Sequence, residues 1–155
     1  ENKKGITVSV FVEKIDAVCD MLYIETGTIN THGWQNIWKR STRIQSKTPI
    51  PEETYLQLIN QCNKNYLRDP EQHHSSVKIM HVLHLAQILN ILDILPELYN
   101  EVHKSNMSKL DENGKPIING QNGVHDKTRP IGKVLKSPNF TEPDLESILK
   151  KYNKI

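Results

Sequence analysis

Residues 77–95 read VKIMHVLHLAQILNILDIL, and this stretch decides the fold. Apolar residues occupy nearly the whole helical wheel, and polar residues recur at every third position. The polar positions are Lys78, His81, His84, Gln87, Asn90 and Asp93. A three-residue period drifts around a helix of 3.6 residues per turn, so no single face is left for solvent. We therefore expect a central, buried helix that different neighbours cover along its length.

The boundaries of this central helix follow from local signals. Ser75 or Ser76 can cap a helix that begins near Val77, because a serine hydroxyl accepts a hydrogen bond from the first turn. Pro96 either kinks the helix or opens a further one that continues to His103.

Three more segments carry the spacing of amphipathic helices. The first covers 7–24, with a stripe that includes Phe11, Ile15 and Leu22, and Gly27 is expected to end it. The second covers 34–45. The third runs from the Pro51 region to Tyr66, where Asp69 and Pro70 stop it.

A long polar stretch separates these helices from the last one. Residues 105–139 are rich in glycine and proline and hold few large apolar side chains. Ile117–Ile118 and Val134–Leu135 can anchor this stretch, in one version as a hairpin around Asn119–Gly120. After it, Thr141 is the expected N-cap of a C-terminal helix, with Glu142 and Asp144 in its first turn.

Together these patterns predict an all-α bundle of five or six helices, with a central buried helix and a long irregular loop before the C-terminal helix. The expected organisation is a helical core over 1–104, a polar loop or arm over 105–139, and a helix over 140–155 that packs on the same domain. The 155 residues are the length of one ordinary domain.

Composition limits the partners only weakly. The formal net charge is +2, which forces neither a nucleic-acid nor a membrane partner, and no membrane-spanning stretch is visible. Cys19 and Cys62 fall on apolar stripes and are interpreted as small core residues, which favours an intracellular site, nuclear or cytoplasmic. The chain begins at Glu1 without a methionine, so we expect it to be part of a larger protein.

The segment 34–47 is the candidate nucleic-acid surface. Its basic residues lie away from the apolar side that Trp34, Ile37 and Trp38 mark, and the segment holds no acidic residue. A helix presenting such a basic face can contact DNA phosphates, although a solvated basic face is also an ordinary surface. The candidate nucleic-acid-binding residues are Lys39, Arg40, Arg43 and Lys47.

The polar stretch is a second candidate binding region. Residues 105–139 carry six basic and three acidic residues, a net charge of +3. Long loops on a rigid scaffold often carry binding, and a tolerated insertion is the alternative explanation. Lys127, Arg129 and Lys133 are the candidate contacts here.

No pattern in the sequence indicates catalysis, a metal or a cofactor. The glycine-rich phosphate loops, the nucleophile elbow and the zinc spacings are missing. His81 and His84 lie one turn apart, but we interpret them as partly buried histidines of the bundle.

We therefore expect a non-enzymatic binding module, without a cofactor, that recognises a protein partner inside a larger assembly. The first alternative is a DNA-binding or chromatin-associated domain that uses the basic segment 34–47. The second alternative is an enzyme whose catalytic groups converge only in three dimensions.

Overall fold

A computed structural model describes residues 7–34, 51–68 and 72–155. These residues form an all-α fold, as expected. The described helices are α1 (Val8–His32), α2 (Glu52–Arg68), α3 (Gln72–Ile88), α4 (Leu95–Met107) and α5 (Leu145–Lys151). Within these ranges the only β-type pairing is two isolated bridges, Leu110 with Pro116 and Ile118 with Val134.

Helix α1 is longer than its sequence pattern predicts. The Thr7 hydroxyl caps its start by accepting a hydrogen bond from the amide of Val10. The expected end at Gly27 is wrong: α1 continues to His32, and Gly33, with φ of +70°, forms the C-cap. Ile29, two residues beyond Gly27, is fully buried against Ile79 of α3, and this burial favours continuation of the helix past a glycine, which is a poor helix former.

Helix α2 begins with Glu52, directly after Pro51, and ends at Arg68. The expected stop at Asp69 and Pro70 and the expected helix over 34–45 lie outside the described residues, apart from Trp34. The proposed serine caps of the central helix are wrong. Helix α3 begins at Gln72, and Ser75 is fully buried inside it, because the helix is packed against neighbours already at its first turns.

The run 77–95 does not form one continuous helix: α3 ends at Ile88, residues 89–94 are not helical, and α4 begins at Leu95. Asn90, just beyond the end of α3, adopts a left-handed φ of +57°. The amide of Ile91 then donates to the carbonyl of Ala86 at 2.9 Å, a hydrogen bond typical of a helix end. Pro96 lies in the first turn of α4, so it opens a further helix, as one of the two expectations had it.

The described chain divides into two compact units. The first, called the helical unit, comprises the described residues up to Tyr99 together with Leu145–Ile155. The second, called the loop unit, comprises Asn100–Asp144. The division falls within α4, five residues before the expected boundary after residue 104.

In the helical unit, α3 packs against both α1 and α2. Near the start of α1, Lys14 forms an ion pair with Glu52 at the start of α2. Near the ends of these two helices, Glu25 and Asn63 both contact Lys78, close to the start of α3. Helices α1 and α2 therefore run in the same direction, and α3 runs against both. The core side chains of α3 are Ile79, Val82, Leu85 and Ala86.

Helix α5 completes the helical unit by packing on α1. Leu145 and Leu149 are its buried side chains. Lys151 forms an ion pair with Glu97, and Lys154 with Asp93. The expected N-cap at Thr141 is wrong, because residues 141–144 are not helical.

Within the loop unit, Thr141 is hydrogen-bonded to Ser108. Its amide donates to the Ser108 hydroxyl at 3.0 Å. The carbonyl of Ser108 accepts a hydrogen bond from the Ser137 hydroxyl at 2.7 Å. These contacts fix the two ends of the irregular loop to each other.

Candidate anion-binding site

One buried asparagine organises the long loop. Asn119 is fully buried although it lies in a polar segment. Its side-chain nitrogen donates to the carbonyls of Asp126, Arg129 and Pro130, and its side-chain oxygen accepts from the amide of Asp126 at 2.8 Å. Because a buried amide is stable only with its hydrogen bonds satisfied, these contacts hold 126–130 around Asn119.

The backbone of Asn119 adds to this arrangement. Its amide donates to the carbonyl of Lys133, and its carbonyl accepts from the amide of Gly132, each at 2.9 Å. The bridge between Ile118 and Val134 pairs the two anchors that the sequence predicts. Asn119 and Gly120 are the central residues of a tight turn, closed by the hydrogen bond from the amide of Gln121 to the carbonyl of Ile118 at 3.1 Å, but this turn does not close the pairing of Ile118 with Val134. Residues 119–133 form a wide loop, and the later part of this loop folds around the side chain of Asn119.

This loop forms one wall of a pocket with a volume of about 480 Å³. Its lining combines four basic residues, one acidic residue and two aliphatic residues. The lining residues are Lys109, Asp126, Arg129, Lys133, Val134, Leu135 and Lys136. The formal charge of the lining is four positive minus one negative, or +3. Such a concentration of cations in a concave site attracts an anionic ligand.

Two of the lining cations flank an aromatic ring. The ammonium group of Lys136 lies 4.1 Å from the centroid of the Phe140 ring, and that of Lys109 lies 5.8 Å away. Lys136 also forms an ion pair with Glu142 at 2.7 Å, and Lys109 donates to the side chain of Asn106. These contacts restrict where both ammonium groups lie.

The other two cations are not engaged in this way. Arg129 and Lys133 form no ion pair with any carboxylate of the described residues, and both side chains are exposed. The only acidic residue of the lining, Asp126, accepts hydrogen bonds from the hydroxyl and the amide of Thr128 at 2.6 and 2.8 Å. These hydrogen bonds and, to a lesser extent, the charge of Arg129 lower the pKa of the Asp126 carboxyl.

Of the three loop residues that the sequence predicts as binding contacts, only two line the pocket. Arg129 and Lys133 line the pocket, whereas Lys127 is exposed and is not part of the lining. Sequence reasoning missed Lys109 and Lys136 as site residues. The sequence indicates these two residues only weakly. Lys109 lies 20 positions before Arg129 and Lys136 lies three positions after Lys133, and only the folded loop brings them together. Lys39, Arg40, Arg43 and Lys47 lie outside the described residues.

The polar residues of the central helix form a separate buried group in the helical unit. His81 and His84 are both nearly buried and pack against Tyr55 of α2, with ring centroids 5.7 and 5.3 Å from the tyrosine ring. Burial and the neighbouring His84 lower the pKa of His81. In the described part of the chain, no three histidine, cysteine or acidic side chains are grouped so that they could hold a metal ion.

Two other expectations are tested directly by the structure. Cys19 and Cys62 are both free and buried, which confirms their interpretation as core residues. Within 7–34, 51–68 and 72–155, no helix combines the length and the apolar character that crossing a membrane requires.

Comparison of this chain with protein-family models, with curated proteins and with solved structures finds no match.

Proposed function

We propose that this chain is a non-enzymatic binding module that recognises an acidic segment of a protein partner at the basic pocket of the loop unit. The observation that carries the proposal is the convergence of Lys109, Arg129, Lys133 and Lys136 on one concave site. The site is large enough for several side chains of a ligand, since small-molecule pockets begin at about 300 Å³.

The positive charges of the pocket and the fixed conformation of its loop both favour the binding of an acidic ligand. The exposed cations of Arg129 and Lys133 can each accept a carboxylate without first breaking an internal ion pair. The loop that carries them is held by Asn119, so little conformational entropy is lost when a partner binds. Guanidinium and ammonium groups in a fixed arrangement are the recurring means by which proteins recognise acidic motifs.

The composition of the pocket wall favours a peptide over a nucleic acid. Val134 and Leu135 offer aliphatic surface, which a peptide side chain can cover. The carboxylate of Asp126 can accept a hydrogen bond from a peptide amide, and the phosphodiester backbone of DNA offers no such donor. Nucleic acid is the second candidate, because four cations also attract phosphates.

Fluorescence anisotropy with labelled probes tests the proposal. The probes are the acidic peptide Glu-Asp-Leu-Phe-Asp-Glu, a peptide with Gln and Asn in place of its acids, and a single-stranded and a duplex oligonucleotide. We expect the acidic peptide to bind, the neutral peptide to bind at least about tenfold more weakly, and the affinity to fall with added salt.

The structure supplies a matched pair of charge reversals. Lys133→Glu changes a lining residue and should weaken peptide binding by about tenfold. Lys127→Glu makes the same change on the same loop, at a side chain outside the lining, and should weaken binding less than about twofold. Equal effects of the two variants would contradict a defined site. Tighter binding of either oligonucleotide than of the acidic peptide would instead support the nucleic-acid function.

A further inference from the structure

Ile131 is exposed on the loop unit and does not line the pocket, although it lies between two of the lining cations in sequence. Its side chain is 69% exposed, more than any other large apolar side chain in the described ranges. In sequence it lies two residues after Arg129 and two before Lys133. A large aliphatic side chain exposed in a fixed loop is a candidate contact for a partner, although single exposed apolar residues are common on protein surfaces.

The backbone under Ile131 is a closed turn. The amide of Lys133 donates to the carbonyl of Pro130 at 3.2 Å, so Ile131 and Gly132 are the two central residues of a four-residue turn. Gly132 has φ of +82°, which the third position of a type II turn requires. The turn is tied to Asn119 on both sides, through the side-chain bond to Pro130 and the amide of Gly132.

The side chain of Ile131 also packs against the backbone of Gly120. A Cβ atom placed on Gly120 would lie 3.0 Å from Cγ2 and 3.1 Å from Cδ1 of Ile131. The isoleucine therefore rests against the backbone of Gly120, and only a residue without a side chain leaves this space free. One face of Ile131 is held by the loop, and the rest of its surface is open.

We infer that Ile131 is an apolar anchor beside the basic pocket, and that the ligand is an acidic segment with apolar side chains between its carboxylates. The inference rests on the proposed function and narrows its ligand. The acids of the segment pair with Arg129 and Lys133, and the apolar side chains between them cover Ile131. Because the turn is already ordered, the contact gains apolar burial at a small entropic cost.

A double-mutant cycle in solution tests the coupling between Ile131 and the apolar residues of the ligand. The two peptides are Glu-Asp-Leu-Phe-Asp-Glu and Glu-Asp-Ser-Ser-Asp-Glu, and the two proteins are the wild-type chain and Ile131→Ala. We expect the substitution to weaken binding of the Leu-Phe peptide about five- to tenfold and that of the Ser-Ser peptide less than about twofold.

A matched control comes from the helical unit. Ile24 is 64% exposed, and Ile24→Ala should leave the affinity for both peptides unchanged. Equal losses for the two peptides, or no loss for either, would overturn the role of Ile131 while leaving the basic pocket intact as an acidic-segment site. If neither peptide binds the wild-type chain, the proposed function itself fails.

Discussion

Lys78 on α3 and Glu25 on α1 form a buried ion pair, and the two side chains are only 8% and 4% exposed. The same ammonium group donates to the side chain of Asn63 on α2 at 3.0 Å. One lysine of α3 thus contacts both α1 and α2. The second carboxylate oxygen of Glu25 has no hydrogen-bond partner among the described residues. Such a pair holds its helices together only while both charges are present.

Removing one charge of this pair should destabilise the protein strongly. We expect Lys78→Met to lower the free energy of unfolding by about 3–5 kcal/mol, because Glu25 would be left as an uncompensated buried charge. Urea unfolding followed by circular dichroism measures the change. Replacing both partners, as Glu25→Leu with Lys78→Met, should recover most of the loss.

The Lys14–Glu52 pair provides the control for that measurement. Its side chains are about one-third exposed, at 32% and 33%, so solvent screens the interaction. Lys14→Met should cost less than about 1 kcal/mol. A loss for Lys78→Met no larger than this would show that burial does not set the strength of the pair.

The loop unit should depend on Asn119. Asn119→Ala removes the side-chain hydrogen bonds to Asp126, Arg129 and Pro130, and we expect the loop to open locally at a cost of about 1–3 kcal/mol. Hydrogen exchange measures this directly: the amide of Asp126 loses its acceptor and should exchange at least about tenfold faster. The exposed Asn113→Ala is the control. Unchanged exchange at both Asp126 and Gly132 would contradict the organising role of Asn119.

We expect the stability of the helical unit to fall at acidic pH because His81 becomes protonated. Its folded-state pKa is lowered from 6.5, mainly by burial and secondarily by His84, and its Nδ1 atom has no hydrogen-bond partner in the described part of the chain. The unfolded chain therefore binds more protons, so stability falls as the pH drops below 6.5 toward the lowered folded-state pKa. Urea unfolding at several pH values should show this loss, and His81→Gln should reduce it. An identical pH dependence in the variant would show that another group is responsible.

The thiol of Cys19 should be unreactive in the folded protein. Burial, with smaller contributions from the carboxylates of Asp16 and Asp20, raises its pKa to about 12. Iodoacetamide reacts with the thiolate, so we expect almost no modification of Cys19 at about pH 8, and rapid modification once urea unfolds the chain. Mass spectrometry of the peptides locates the label. Equal rates in the folded and unfolded states would contradict the burial of this side chain.

Sequence periodicity predicted the existence of the helices better than their ends. The stripe of α1 was visible from Val8 to Leu22, yet Gly27 is a poor guide to where the helix stops. The end at Gly33 depends on the contact of Ile29 with Ile79, two residues from different helices. In the same way, α3 ends at Ile88 and Asn90 has a left-handed backbone, although no proline or glycine stands between residues 77 and 95 to predict the break.

The candidate site was predictable only in part. Arg129 and Lys133 stand close together in a basic stretch, so composition was enough to select them. Lys127 belongs to the same stretch but lies outside the pocket, and the spacing of these residues in the sequence does not predict this difference. The shape of the loop itself depends on the buried side chain of Asn119, which forms hydrogen bonds with the backbone of residues 7 to 11 positions away.

By itself the sequence determined the all-α class, the burial of the two cysteines and the basic character of the loop, because these properties follow from the type and spacing of residues along one chain. Only the tertiary structure decided which cations share a pocket, where α1, α3 and α5 begin or end, and that Lys78 meets Glu25. Each of these depends on contacts between residues far apart in sequence, and such contacts exist only when the chain has folded.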